Sequence, residues 1–252
     1  LCDASFRNCA SLESITIPSG VTNIGEYAFE GCKSLESIDI PDSVTEIKGS
    51  AFLNCTGLTS VDFPDELTVI GSNAFEGCTG ITSMTFGNKL TVINGEAFRG
   101  CTGLTSVTLP DSITEFGYRV FENCSSLNRI NIPTGLKTVY SWGGVFNGCS
   151  SLKNITVPNG MTVLPSYLFD SAEYLQIIIL PKSLTTLKSN SVFHHTFYFC
   201  NCKFIFHRFL LLVVLLALLG IIERAACQQD FSLTRGERQT ERCLFARRQV
   251  DE

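Results

Sequence analysis

Twelve cysteines and three histidines are the side chains of this chain best suited to nucleophilic, metal-ligating or redox chemistry. Cys9, Cys32, Cys55, Cys78, Cys101 and Cys124 follow one another at intervals of 23 residues, and Cys149 comes after a gap of 25. An activated cysteine needs a cationic neighbour or a helix N-terminus to lower its pKa, and no Lys, Arg or His recurs beside these. Stacked equivalents would lie roughly 4.7–5 Å apart, close enough for their Cα atoms to permit bridges. Parallel side chains pointing one way into a core fit the disulfide dihedral poorly, so the column reads as free, packed thiols behaving as small hydrophobes. The cysteine count therefore does not report the redox compartment.

His194, His195 and His207 all lie outside the regular spacing. With Cys200 and Cys202 they spell H-H-x4-C-x-C-x4-H, which matches none of the usual zinc arrangements. Without histidine between residues 1 and 193 there is no Ser-His-Asp or Cys-His pairing there. No phosphate-cradling glycine loop occurs either. The expectation is a protein without catalysis, cofactor or metal site. Asn54-Cys-Thr, Asn123-Cys-Ser and Asn154-Ile-Thr satisfy the glycosylation sequon, which matters only for secretion by a eukaryote.

The step of 23 holds for other residue types and fixes the architecture. Phenylalanine recurs at 6, 29, 52, 75, 98, 121, 146, 169 and 193, and proline at 18, 41, 64, 110, 133, 158 and 181. A period of this length means a solenoid, because one unit cannot bury its own apolar face and must stack on its neighbours. In Gly31 to Phe52, Leu35, Ile38 and Ile40 alternate with Ser37 and Asp39, which reads as a strand with one buried face. Pro41-Asp42 is a turn signal. Val44 and Ile47 read as a shorter strand or extended arc. Ala51, Phe52, Cys55 and Leu58 are spaced for a turn or two of helix. Two extra residues enter around Ser141-Trp142-Gly143, and one more between Leu187 and Phe193. Insertions in solenoids map to loops, often on a binding face. Trp142, the only tryptophan, either packs its indole on the adjacent coil or serves as a contact hot spot.

The recurrent string approaches GC-x-x-L-x-S-I-x-I-P-x-x-V-T-x-I-G-x-x-A-F, seen as GCKSLESIDIPDSVTEIKGSAF and GCTGLTSVTLPDSITEFGYRVF. It resembles the BspA-like leucine-rich repeat over residues 1 to about 195. The resemblance implies a right-handed superhelix of 23-residue units, with a parallel β-sheet on one face and short strands and helical turns on the other. It also implies protein binding, as on adhesive surface proteins of host-associated bacteria and parasitic protists. The family offers no catalytic residues to carry over. The chain opens in mid-repeat without initiator Met, signal peptide or cap, and reads as a piece of a longer protein.

The outward positions of the strand face form two columns. One runs Ser14, Ser37, Ser60, Ser83, Ser106, Arg129, Asn154 and Ile177; the other runs Thr16, Asp39, Asp62, Thr85, Thr108, Asn131, Thr156 and Ile179. Up to Thr156, these and Trp142 are the candidate protein-binding surface, flat, polar and without aromatic anchors on the strands. Asp39, Asp62 and Arg129 interrupt the hydroxyl ladders and argue against an ice-binding face. Ile177 and Ile179 put apolar groups outward, which points to a covering neighbour, the C-terminal segment being the candidate.

Three segments follow: a solenoid of about eight repeats over 1–196, an apolar segment over 197–222, and a charged tail over 223–252 expected to be disordered. The run of 14 apolar residues at 209–222 is short of the about 20 that a bilayer needs, unless it extends back past Lys203, His207 and Arg208. It reads first as a membrane anchor, otherwise as a buried terminal helix or as a mistranslated intron or frameshift. Basic residues before the run would put the repeats in the cytoplasm, and six arginines after it oppose that. The family resemblance places them outside. The array up to residue 190 holds 11 Lys and Arg against 18 Asp and Glu, without the basic stripe that nucleic acid needs. The expected partner is a protein, in the extracellular matrix or on another cell, at the cell surface or after secretion. An intracellular protein-interaction scaffold is the alternative.

Overall fold

The computed structural model describes residues 1–140, 142–188 and 191, and the backbone of 203–205. The chain divides into two units, Leu1–His207 and Arg208–Glu252, of which the first is a parallel β-solenoid. The coils build two faces, the first two meeting on the first face through the single bridge Thr16↔Asp39 and later coils giving strands to both. The first face carries β3 (Ser60–Asp62), β5 (Ser83–Thr85), β7 (Ser106–Val107), β9 (Arg129–Ile130), β11 (Asn154–Thr156), β13 (Ile177–Ile179) and β15 (Lys203–Ile205). The second carries β1 (Asn23–Ile24), β2 (Glu46–Ile47), β4 (Val69–Ile70), β6 (Val92–Ile93), β8 (Glu115–Phe116), β10 (Thr138–Val139), β12 (Val163–Leu164) and β14 (Thr186–Leu187). Partners sit one repeat apart, as in Ser60↔Ser83 and Ile47↔Ile70.

The longer ladder lies where the sequence promised the lesser strand. On the second face six strands form one unbroken sheet, β1-β2-β4-β6-β8-β10, followed by the pair β12-β14, whereas the first face is divided into two pairs and one triplet. Within the β7–β9 pair the main-chain ladder stops short for a visible reason: the Asn131 side chain takes the Leu109 amide at 2.7 Å and donates to the Leu109 carbonyl at 2.8 Å, replacing a rung. Proline-led turns join the faces as expected, the Pro64 carbonyl accepting from the Leu67 amide at 3.1 Å.

The expected helical turns are absent, and hydrogen bonding explains why. No helix occurs among the described residues. Between Gly71 and Cys78 the amides of Asn73, Phe75 and Gly77 donate to the next coil, at Gly95, Ala97 and Arg99. The amides of Ala74, Glu76 and Cys78 instead close three-residue turns onto Gly71, Asn73 and Phe75. An α-helix would return every amide to its own segment, so a corner that must also bind its neighbour cannot be one. The alternation requires left-handed backbone at Asn73 (φ 57°) and Gly77 (φ 71°). Asn8, Asn54 and Asn123 hold the place of Gly77 in other coils, which is why Asn and Gly share that column.

Inside, the phenylalanines stack coil on coil, with Phe29–Phe52 centroids 5.1 Å apart and Phe52–Phe75 4.9 Å apart. Each ring is fully buried, worth roughly 1.5–3 kcal/mol by transfer. The cysteine column follows from the same carbonyls. Phe52 O accepts the Cys55 amide of its own coil at 3.1 Å and the Cys78 thiol of the next at 3.1 Å. One acceptor with two lone pairs thus links a coil to itself and to its neighbour, which accounts for the recurrent Phe-x-x-Cys.

Candidate protein-binding surface

The exposed columns stand where alternation puts them. In β3, Val61 points inward while Ser60 and Asp62 are exposed; β5 and β11 repeat the pattern with Ser83 and Thr85, and with Asn154 and Thr156. Ser14, Thr16, Ser37, Asp39, Ser106, Thr108 and Arg129 are exposed as well. Asn131 is the exception: half-buried, its amide is committed to Leu109 and is withdrawn from any ligand. Asp62 is partly engaged too, accepting from Thr85 Oγ1 at 2.6 Å. Ile179 is exposed and Ile177 half-buried; their strand pairs with Lys203–Ile205, while the segment expected to cover them lies outside the described residues. Of the sequons, Asn154 is on a strand with Thr156 exposed beside it, whereas Asn54 and Asn123 sit in left-handed corners ahead of buried cysteines.

Trp142 does not pack on the adjacent coil. It is 78% exposed, and Tyr140 is 51% exposed. The frame beneath them is tightly fitted. A Cβ on Gly144 would collide with the Asp170 carbonyl, and Gly143 (φ 111°) has the Arg119 side chain against it. The Tyr140 hydroxyl reaches Glu115 Oε2 at 3.4 Å. The backbone that carries the indole is thus closely fitted, while the indole itself stands out into solvent.

A second polar feature escaped the sequence reading. On the corner face, Arg99 lies 3.2 Å from Glu76, 3.7 Å from Glu96 and 2.8 Å from Glu122. The last is close as an ion pair without hydrogen-bond alignment. Arg119 approaches Glu96 at 3.6 Å, and Asn147 donates to Glu122 at 2.9 Å. Asn73 completes the group by donating to Glu76 and Glu96. Its signal was a column whose identity changes with each coil (Glu30, Leu53, Glu76, Arg99, Glu122, Asn147), so no recurrence marked it. The network joins successive coils.

The thiols are equally structural. Cys32, Cys55, Cys78, Cys101, Cys124 and Cys149 are buried and unbridged, whereas Cys9, at the end of the column, is exposed. Burial first, then the neighbouring thiol of the preceding coil, pushes Cys55 up to about 12 and Cys78 well above its ordinary value. Such thiols stay protonated and serve as donors.

This geometry defines a leucine-rich-repeat solenoid, a fold whose exposed side chains serve protein interaction. Residues 1–125 and 72–204 match the BspA type leucine rich repeat region in six copies, and the chain belongs to that family. Among solved structures it is similar to a leucine-rich repeat protein from Bacteroides ovatus, with 26% identity and a TM-score of 0.58 over 75% of this chain and 58% of that one. It is also similar to the T. pallidum leucine rich repeat protein, with 25% identity and a TM-score of 0.51 over 69% and 72% of the two chains. A leucine rich cell surface protein from Faecalibacterium prausnitzii shares 28% identity with a TM-score of 0.45, over 82% of this chain and 63% of that one. The chain thus spans less than two thirds of the Bacteroides and Faecalibacterium chains. No protein of curated function matches it.

Proposed function

We propose that the array is a non-catalytic adhesion or recognition module, displayed at the cell surface or secreted, that binds protein on the extracellular matrix or another cell. The observation that carries this reading is Trp142, a tryptophan held 78% exposed on a fitted insertion in an otherwise periodic molecule. Tryptophan is the residue most over-represented at contact hot spots. On the strand face, Ser14, Thr16, Ser37, Asp39, Ser60, Asp62, Ser83, Thr85, Ser106, Thr108, Arg129, Asn131, Asn154 and Thr156 supply a separate, broad polar surface for weak, repeated contacts; Asn131 acts there through the backbone that it holds. Family membership supports the protein partner, and the run at 209–222 supports attachment to a membrane; among the described residues no helix is long and apolar enough to cross one.

The alternative is an intracellular protein-interaction scaffold, and the stacked thiols do not choose between the two, because their parallel geometry disfavours bridging in either compartment. Protease accessibility separates the two. With an epitope inside a repeat of the native gene product, digestion in intact cells supports surface display. Protection until lysis contradicts it and favours the scaffold.

A further inference from the structure

Charge on the first face and its flanking turns is sorted along the array, with Lys33 and Glu173 the exceptions. The column that begins with Glu13 and Glu36 passes through uncharged residues to Lys153, half-buried over the Tyr174 ring, and closes on Gln176. The turn column opens on Ser19, carries Asp42, Asp65 and Asp111, and ends with Lys182. The serine column acquires Arg129, and Lys203 takes the register position beside Ile177. Glu13, Glu36, Asp39, Asp42, Arg129 and Lys182 are exposed, and none of them has an ion-pair partner among the described residues. In the acidic coils Glu66 is neutralised, by Lys89 at 2.7 Å; in the middle, Asp111 accepts the Thr134 amide at 2.8 Å. Between the two ends lie Ser83, Thr85, Ser106 and Thr108, small and uncharged.

We infer that this face binds a second copy of the chain, antiparallel and two-fold symmetric, the acidic coils of each copy lying on the basic coils of the other. A surface whose two ends carry opposite charge around a neutral middle is its own complement under a two-fold axis, as an isologous interface requires. A partner carrying one sign alone would satisfy one end and be repelled by the other. At a strand spacing of about 4.8 Å the face offers roughly 500 Å² per copy, near the lower limit for a specific interface. The association is therefore weak, reversible and salt-sensitive. It is independent of the Trp142 reading, since that side chain is on the insertion and not on this face.

The test is sedimentation velocity on the full chain across concentration, at about 20 mM and about 500 mM NaCl. The expected result is a monomer–dimer equilibrium at low salt whose dissociation constant weakens at least ~tenfold at high salt. Two variants reverse one end each: Glu36→Lys with Asp39→Lys and Asp42→Lys, and Arg129→Glu with Lys182→Glu. Each alone should be monomeric, and an equimolar mixture should recover the dimer, because the two faces are then complementary. Recovery also shows that the variants fold. A chain monomeric at low salt, or association that survives high salt or single-end reversal, overturns the inference. Association through the run at 209–222 would behave in the latter way. A monomer here would leave the adhesion reading standing, and loss of surface display would leave the dimer.

Discussion

The coils before Trp142 and the coils after it share a repeat but not a regularity. Before it, the second face is one continuous six-stranded ladder, and phenylalanine centroids from Phe6 to Phe121 lie 4.9–5.7 Å apart. After it, that face restarts as the pair β12-β14, and the Phe121–Phe146 and Phe146–Phe169 distances open to 6.2 and 6.3 Å. The insertion is therefore paid for in the stack. A device that loosens the core yet is itself closely fitted is better explained by what it presents than by what it packs.

The largest effect should come from the stack itself. Phe75→Ala, between two close neighbours, should cost about 3–5 kcal/mol, while Phe169→Ala in the looser block should fall at or below the low end of that range. Urea denaturation of the two variants measures the difference; equal losses would erase the contrast between the blocks. Next comes the lock on the insertion. Gly144→Ala forces a Cβ onto the Asp170 carbonyl and should cost about 1–3 kcal/mol. A thermal melt measures that loss, and Gly20→Ala, with open space around it and no left-handed backbone, should be neutral or slightly stabilising in it.

Alkaline pH gives a smaller, graded effect. Cys55 and Cys149 have folded values raised from 9.0 to about 12, so the fold favours the protonated thiol. The stability this contributes is complete below pH 9 and is lost as pH rises toward 12. Melting temperature followed from pH 8 upward should fall through that window, and Cys78→Ala should flatten the fall while costing about 1–2 kcal/mol at neutral pH. In native chain, iodoacetamide should label Cys2 and Cys9 and spare Cys32 to Cys149; labelling of the buried set without unfolding would contradict the packed column. The smallest effect on stability is expected at Trp142→Ala, within about 0.5 kcal/mol, because an exposed side chain makes few contacts.

What repeats was legible, and what does not repeat was not. Phe, Cys and Pro at a step of 23 are enough to specify the solenoid, the inward thiols and the turns, because stacking places each recurrence in one column. The outward Ser and Thr positions followed from alternation alone. The corners were misread as helical because Ala51, Phe52 and Cys55 have helical spacing, and a pattern of apolar residues does not tell where amides donate. Alternation puts Asn131 on the surface, and no pattern announces that its side chain stands in for a main-chain rung. The Arg99–Glu122 network is hidden by the opposite difficulty: its column alternates Glu with unlike residues, and only the stacking brings the charges together. The indole of Trp142 was open between packing and exposure, a choice that rests on the two glycines after it.

The central claim is that the insertion presents its indole instead of storing it, and the chain carries only one tryptophan with which to ask. Collisional quenching of the native chain's intrinsic fluorescence by acrylamide tests this directly. A quenching constant for Trp142 close to that of the same chain in urea is the predicted result. Native emission shifted to the blue and protected several-fold from acrylamide would place the indole against the neighbouring coil, and would contradict the account.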